Sequence, residues 1–301
     1  MRFGSCFIVV LLLMVSQFAC AEIVVQDDSG QTIRLATPAR RIVSLSPHIT
    51  ENLYAAGAGS YIVGTVEYSD YPEAAKKLPR VGSYNRFDLE AILKLKPDLV
   101  IAWDSDNPGV HLSTLKTLGL PLFINQPRKM DDIATSILRF GELAGTRSVA
   151  VDAVRSFRAR YAELFNRYAG KPPVRSFYQL WKHPLVTVNS DQLISDVMRL
   201  CGSENIFASL PQSAPTVSVE AVLAANPEVI VVSGMGETRP EWLDQWRRWR
   251  DLTATHRNNL FFIPPDVLNR HTQRVLTGAQ MLCDDMETAR MRRPVAKGDS
   301  R

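Results

Sequence analysis

The chain is poor in the residues that mark chemistry. Cysteine is scarce, with four in 301 residues, at positions 6, 20, 201 and 283. No two of them stand at the short spacing of a zinc-binding pair. Histidine is equally sparse. His48, His111, His183, His256 and His271 never fall three or four residues apart or beside a cysteine, so no metal site is written in the spacing. The chain contains no Gly-x-Ser-x-Gly elbow, no phosphate-binding loop and no dinucleotide fingerprint. These absences remove the positive case for an enzyme or a metal cofactor. Beyond the first 21 residues, no apolar run reaches the roughly 20 residues that cross a bilayer.

Charge of one sign is also missing from the body. The formal net charge is +4. One positive charge belongs to Arg2, while residues 288–301 hold five basic residues against one acid, which leaves the rest near neutrality at about −1. A basic surface for nucleic acid is not expected.

The N-terminus does carry a signal. Met1-Arg2 gives a small positive start, Phe7 to Val15 is nearly all apolar, and Ala19-Cys20-Ala21 fits a small-residue cleavage site. This pattern predicts a secretory signal peptide over residues 1–21 and a mature chain beginning at Glu22. Acylation at Cys20 is the alternative. Removal of the leader leaves Cys201 and Cys283. An even pair in an oxidising compartment favours a disulfide, which closes a loop of about 80 residues and contributes roughly 4 kcal/mol in the chain-entropy account. Two buried free thiols are the other reading.

Along the mature chain, short apolar runs alternate with helical patterns. Arg41–Leu45, Tyr61–Val66, Leu99–Trp103 and Leu122–Asn125 read as strands, with helices between them. Thr50 is placed to cap the helix that ends at Gly57. Met130–Leu143 predicts a helix closed by Gly145. The stretch from Thr146 to about Ala169 predicts a longer one, with Val154, Phe157, Tyr161, Leu164, Phe165 and Tyr168 on one face. A second series follows, with strands at Val174–Leu180, Val229–Ser233 and Leu260–Ile263. Trp242, Trp246 and Trp249 recur at helical spacing and predict an amphipathic helix packed on its own lobe.

One pattern occurs twice. Leu89-Glu90-Ala91-Ile92-Leu93 precedes Pro97-Asp98-Leu99, and Val219-Glu220-Ala221-Val222-Leu223 precedes Pro227-Glu228-Val229. Asp88 and Ser218 occupy the same capping position, and glutamate and proline are seven residues apart in both. The duplication predicts an α/β protein of two Rossmann-like lobes, each with a central, mainly parallel sheet, joined by one long rigid helix. The expected divisions are a leader at 1–21, a first lobe at 22–145, a linking helix at 146–170, a second lobe at 171–287 and a disordered tail at 288–301. A cleft between lobes is a natural ligand site.

Several stretches resemble the helical-backbone substrate-binding proteins of ABC importers. They are Arg41-Ile-Val-Ser-Leu-Ser-Pro47 with Thr50-Glu51, Tyr68-Ser-Asp-Tyr-Pro72, Leu95-Lys-Pro-Asp-Leu-Val-Ile-Ala-Trp103, Cys201-Gly202 with Glu204-Asn-Ile-Phe207, and Pro265-Asp266 with Arg270. The likeness covers about Arg41 to Met286. The Tyr-Ser-Asp-Tyr-Pro and Ile-Ala-Trp stretches and the two late cysteines are most similar to the family's cobalamin binders. The resemblance implies a monomeric periplasmic protein that takes cobalamin or a related corrinoid between its lobes. It would pass that ligand to a permease dimer with its ATPase; haem or an iron siderophore is the alternative ligand.

The resemblance also implies roles. Tyr68, Tyr84, Trp103 and Trp181 would offer flat faces to a corrin, with Tyr84 standing where relatives carry tryptophan. Asp266 and Arg270 would meet the ligand's polar edges. Glu90 and Glu220 would be exposed knobs docking on permease arginines. Their bland reading is helix-dipole complementarity, worth about 0.3–1 kcal/mol each. Ala214 or a neighbour replaces a tryptophan found in relatives. The five histidines are read as surface or loop residues, with His48 and His183 in loops able to face the cleft.

Overall fold

The computed structural model describes residues 22–83, 86–104, 109–234 and 238–294. The expected leader lies outside these residues. The chain begins with an antiparallel hairpin, β1 (Ile23–Gln26) and β2 (Thr32–Leu35). It continues through β3 (Ile42–Ser44), α1 (Pro47–Ala55), β4 (Ile62–Thr65) and a small hairpin of β5 (Gly82–Ser83) and β6 (Arg86–Phe87). Next come α2 (Leu89–Lys94), β7 (Leu99–Ala102), α3 (Gly109–Thr117), β8 (Leu122–Ile124) and α4 (Met130–Leu143). The long helix α5 (Arg147–Tyr168) leads to the second half. That half holds β9 (Val174–Gln179), α6 (Leu193–Leu200), β10 (Ser203–Asn205), α7 (Val219–Ala225) and β11 (Val229–Val232). It ends with α8 (Thr253–His256), β12 (Leu260–Phe262), α9 (Pro265–Leu268) and α10 (Val275–Met291).

The halves form two four-stranded sheets, ordered β4-β3-β7-β8 and β10-β9-β11-β12. Every pairing in both is parallel. Parallel strands are covered on both faces and so read as unbroken apolar runs. Accordingly all four residues of β7 and of β11 are fully buried. Their alternation divides the core. Leu99 and Ile101 of β7, with Val229 and Val231 of β11, enter one continuous cluster that also takes side chains from α1, α4, α5, α6 and α10. Val100 and Ala102 face an outer cluster of the first lobe, while Ile230 and Val232 face an outer cluster of the second. The lobes therefore share their inner core.

The two copies of the repeat fold alike. The Ala91 amide donates to Asp88 Oδ1 at 2.9 Å, and the Ala221 amide donates to Ser218 Oγ at 3.1 Å. Ile92 and Val222 are the buried residue of each short helix. Lys96 and Asn226, each just before its proline, take left-handed backbone with φ of 46° and 44°. Gly145 ends α4 at φ +66°, as expected. At Gly141 a Cβ would stand 2.4 Å from that of Ala150, so glycine permits the close approach of α4 to α5.

Cys201 and Cys283 form a disulfide between the end of α6 and α10, 82 residues apart and fully buried. Several local expectations are corrected. Ser46 rather than Thr50 is the residue preceding the first turn of α1, because Pro47 starts that helix. The tryptophan stretch is a 3₁₀ segment, Glu241–Arg248, with Trp246 buried and its Nε1 donating to Gln179 Oε1 at 2.8 Å. The segment expected to be a disordered tail from 288 begins instead as the last turn of α10. Arg290 donates to the carbonyls of Pro172 at 2.7 Å and Cys201 at 2.8 Å, and Arg293 pairs with Glu228 at 2.9 Å. Part of the charge assigned to a tail thus belongs to the folded body. Among the described residues no helix is long and apolar enough to cross a membrane.

Candidate ligand site between the lobes

In parallel α/β sheets, ligands collect outside the carboxyl ends of the strands. Both sheets here turn those ends toward one cavity of about 650 Å³. Trp103, immediately after β7, and Gln126–Arg128, after β8, form the first-lobe wall. The second-lobe wall comes from Leu180 after β9, the approach to α6 including Asn189 and Asp191, the loop at Pro211–Ala214, and Asn269 with His271 after α9. Asp191 and Arg128 are its two full charges, of opposite sign, and four carboxamides (Gln126, Asn189, Gln192 and Asn269) line it.

Trp103, His48 and His271 form an aromatic cluster at this wall. Ring centroids are 4.9 Å apart for His48 and Trp103, 5.4 Å for Trp103 and His271, and 5.6 Å for the two histidines. The expectation that the histidines lie at the surface or in loops fails for His48, which sits in the first turn of α1, while His271 does lie in a loop; both are buried. Ser46 Oγ lies 2.7 Å from His48 Nδ1, and His48 Nε2 lies 3.2 Å from Asn125 Oδ1. Asn125 Nδ2 already donates to Ser136 Oγ at 2.7 Å, so Oδ1 accepts and Nε2 carries the proton. Burial, then the neighbouring His271, hold His48 well below the usual histidine range. Burial also lowers His271, to about 4. Both rings are neutral at pH 7. His183, by contrast, is exposed.

The sequence-based candidates separate. Trp103 lines the cavity. Tyr84 lies outside the described residues. Tyr68 is 64% exposed, at φ +62°, an uncommon conformation for a bulky side chain. Beneath its loop, Ser69 Oγ accepts from Thr65 Oγ1 at 2.8 Å, and Thr65 meets Thr50 at 2.7 Å in a buried hydroxyl cluster. Trp181 is exposed at the start of a tight reversal that pairs it with Val186. Tyr68, Trp181, Asp266 and Arg270 are not among the residues that line the cavity. Glu90 and Glu220 sit in the first turns of α2 and α7, exposed, with Glu90 also 2.7 Å from Lys94.

Arg270 is engaged elsewhere. Its Nη1 donates to Glu51 at 2.9 Å and Asp70 at 2.7 Å, and its Nη2 lies 3.0 Å from Asp266. Arg274 grips the same Glu51 carboxylate through Nε at 2.9 Å and Nη2 at 2.7 Å. Burial alone would raise the Asp70 carboxyl, but the Arg270 bond and charge outweigh it and hold it below the usual range. Pairing across the lobes therefore occupies groups that the resemblance assigned to the ligand. His271, Asn269, Asn189 and Arg128 were missed as site residues. Only Arg128, shortly after β8, stands near a strand end; the other three lie in longer loops or beyond α9, where sequence gives no such signal.

Two parallel sheets on a shared core, with a cavity at their facing carboxyl ends, have the layout of a two-lobed binding protein. Residues 42–267 match the periplasmic binding protein family, and the chain belongs to it. It is 38% identical over 253 residues to the vitamin B12-binding protein of Vibrio cholerae serotype O1, covering 84% of this chain and 91% of that one. It is 40% identical over 266 residues to the vitamin B12-binding protein of Yersinia pestis, covering 87% and 91%. The crystal structure of the periplasmic vitamin B12 binding protein of Vibrio cholerae superposes with a TM-score of 0.77, covering 84% of this chain and 98% of that one.

Proposed function

We propose that this protein captures cobalamin in the interlobe cavity and delivers it to the permease of an ABC importer in the periplasm, after loss of residues 1–21. The observation that carries the reading is the 38–40% identity to vitamin B12-binding proteins across more than four-fifths of the chain. The cavity's chemistry supports it. A corrin ring has apolar faces and amide-bearing edges, and the walls combine Trp103 with four carboxamides and little net charge. An anionic siderophore would call for a basic pocket, and Arg128 is balanced by Asp191. The ligand would fill the cavity and stand out of its mouth. On the family resemblance it would also meet Tyr68 and Trp181, both exposed, together with Tyr84 and Asp266.

Glu90 and Glu220, on matching helices of the two lobes, are the proposed docking points for a two-fold permease. Such contacts govern orientation and encounter rate as much as affinity.

The test is calorimetry with cyanocobalamin at micromolar protein, alongside haem. Saturable binding of cyanocobalamin is expected, and Trp103→Ala should weaken it by about 2 kcal/mol, as for a central aromatic anchor. No heat with cyanocobalamin, or tighter binding of haem, would reject the reading.

A further inference from the structure

The interlobe ion network has a layered form. Its centre is Glu51 on α1 of the first lobe, whose side chain is 3% exposed. Both of its oxygens are occupied by guanidinium groups of the second lobe, from Arg270 and Arg274. Around this centre stand Asp70, 42% exposed, and Asp266, 28% exposed. Tyr71 lies beneath Arg274, with the guanidinium carbon 4.2 Å from the ring centroid. Next to Glu51, Asn52 Nδ2 donates to the backbone carbonyl of His271 at 2.9 Å.

Each partner belongs to a piece of the ligand site. Asn269 and His271, which line the cavity, lie on the same strap as Arg270 and Arg274. Asp70 and Tyr71 belong to the loop that presents Tyr68. One buried carboxylate thus ties a cavity wall of the second lobe to an aromatic loop and helix of the first. A desolvated charge pair is expensive to form and more expensive to break on one side, since the remaining charge is left buried. It is therefore a poor device for stability alone and an effective one for fixing geometry.

We propose that Glu51 is a positioning residue for the ligand site: through Arg270 and Arg274 it sets the width of the cleft before ligand arrives. Its own side chain is buried and does not line the cavity. The affinity part of this inference rests on the cobalamin reading above, whereas the geometry part does not. If the variant Glu51→Gln holds the binding-competent spacing only a tenth of the time, apparent affinity falls tenfold.

The experiment compares wild type, Glu51→Gln and Glu228→Gln by small-angle scattering and by cyanocobalamin titration. Glu228 is the control, because its partners Arg257 and Arg293 lie in its own lobe. Wild type should show the same radius of gyration with and without ligand. Glu51→Gln should be wider without ligand, contract on adding it, and bind about tenfold more weakly. Glu228→Gln should match wild type in both. Arg274→Gln, which leaves Arg270 on Glu51, serves if the first variant does not fold, and should shift the same way. Unliganded Glu51→Gln with wild-type dimensions, or with the affinity of Glu228→Gln, would overturn the proposal. Loss of cyanocobalamin binding by wild type would instead reject the function, while the unliganded dimensions would still judge Glu51.

Discussion

At the scale of single residues, the buried histidines carry the most consequence. His271 has a folded value near 4 against about 6.5 for an exposed histidine, so the unfolded chain binds a proton first as pH falls. Stability from the neutral ring is complete above about pH 6.5 and is lost toward pH 4. His48 acts in the same direction. Asp285 acts oppositely. Burial and Asp284 raise its carboxyl to about 7, so its share is lost as pH rises through neutrality. A comparison between variants isolates the histidine. Between pH 7 and pH 4, wild type should lose roughly 3 kcal/mol more than His271→Gln. Urea unfolding at both pH values measures this, and parallel losses would refute it. Neither histidine was legible as buried from sequence. A histidine just after Ser-Pro, or at the end of a short loop, looks the same whether it faces water or a distant part of the chain. Only the folded contact of residue 48 with residue 271 decides.

At the scale of elements, the paired helices α2 and α7 were legible because everything that defines them is local. A capping side chain, one buried apolar residue and a proline break fall within ten residues of one another. Their glutamates face solvent in both lobes, where the dipole term is small and salt screens any pairing. If they dock on a permease, Glu90→Arg combined with Glu220→Arg should leave cyanocobalamin affinity within about twofold of wild type. Uptake into vesicles carrying the cognate importer should fall by more than tenfold. Unchanged uptake would leave helix-dipole complementarity as their whole role. Elements whose form depends on distant partners were less legible. The β1–β2 hairpin was missed because its strands are four residues each and Val24 is exposed. The tryptophan stretch kept its buried face but not its α-helical form, since Trp246 is positioned by Gln179, 67 residues away.

At the scale of the molecule, the lobes look separable in sequence and are joined in space. The inner faces of both sheets feed one core, which α5 crosses and α1, α4 and α10 fill. Cooperative unfolding follows the core rather than the lobes. A single calorimetric transition is expected without ligand, with calorimetric and van't Hoff enthalpies in agreement, and two resolved peaks would show independent lobes. The two-lobe plan was therefore readable from the repeat, and the Trp103 side of the cavity from its place after a strand. The coupling between lobes was not, because Glu51 and Arg270 are 219 residues apart and each alone resembles an ordinary surface charge.

The closing segment bears on how the protein is made. Residues 269–291 bring Leu282, Met286 and Ala289 to the common core, Cys283 to its disulfide and Arg274 to Glu51. The first lobe precedes these groups in the chain and stays incompletely packed until they dock. A message cut short near its end would yield a product with an open interior rather than a working half, and such products are what proteases remove.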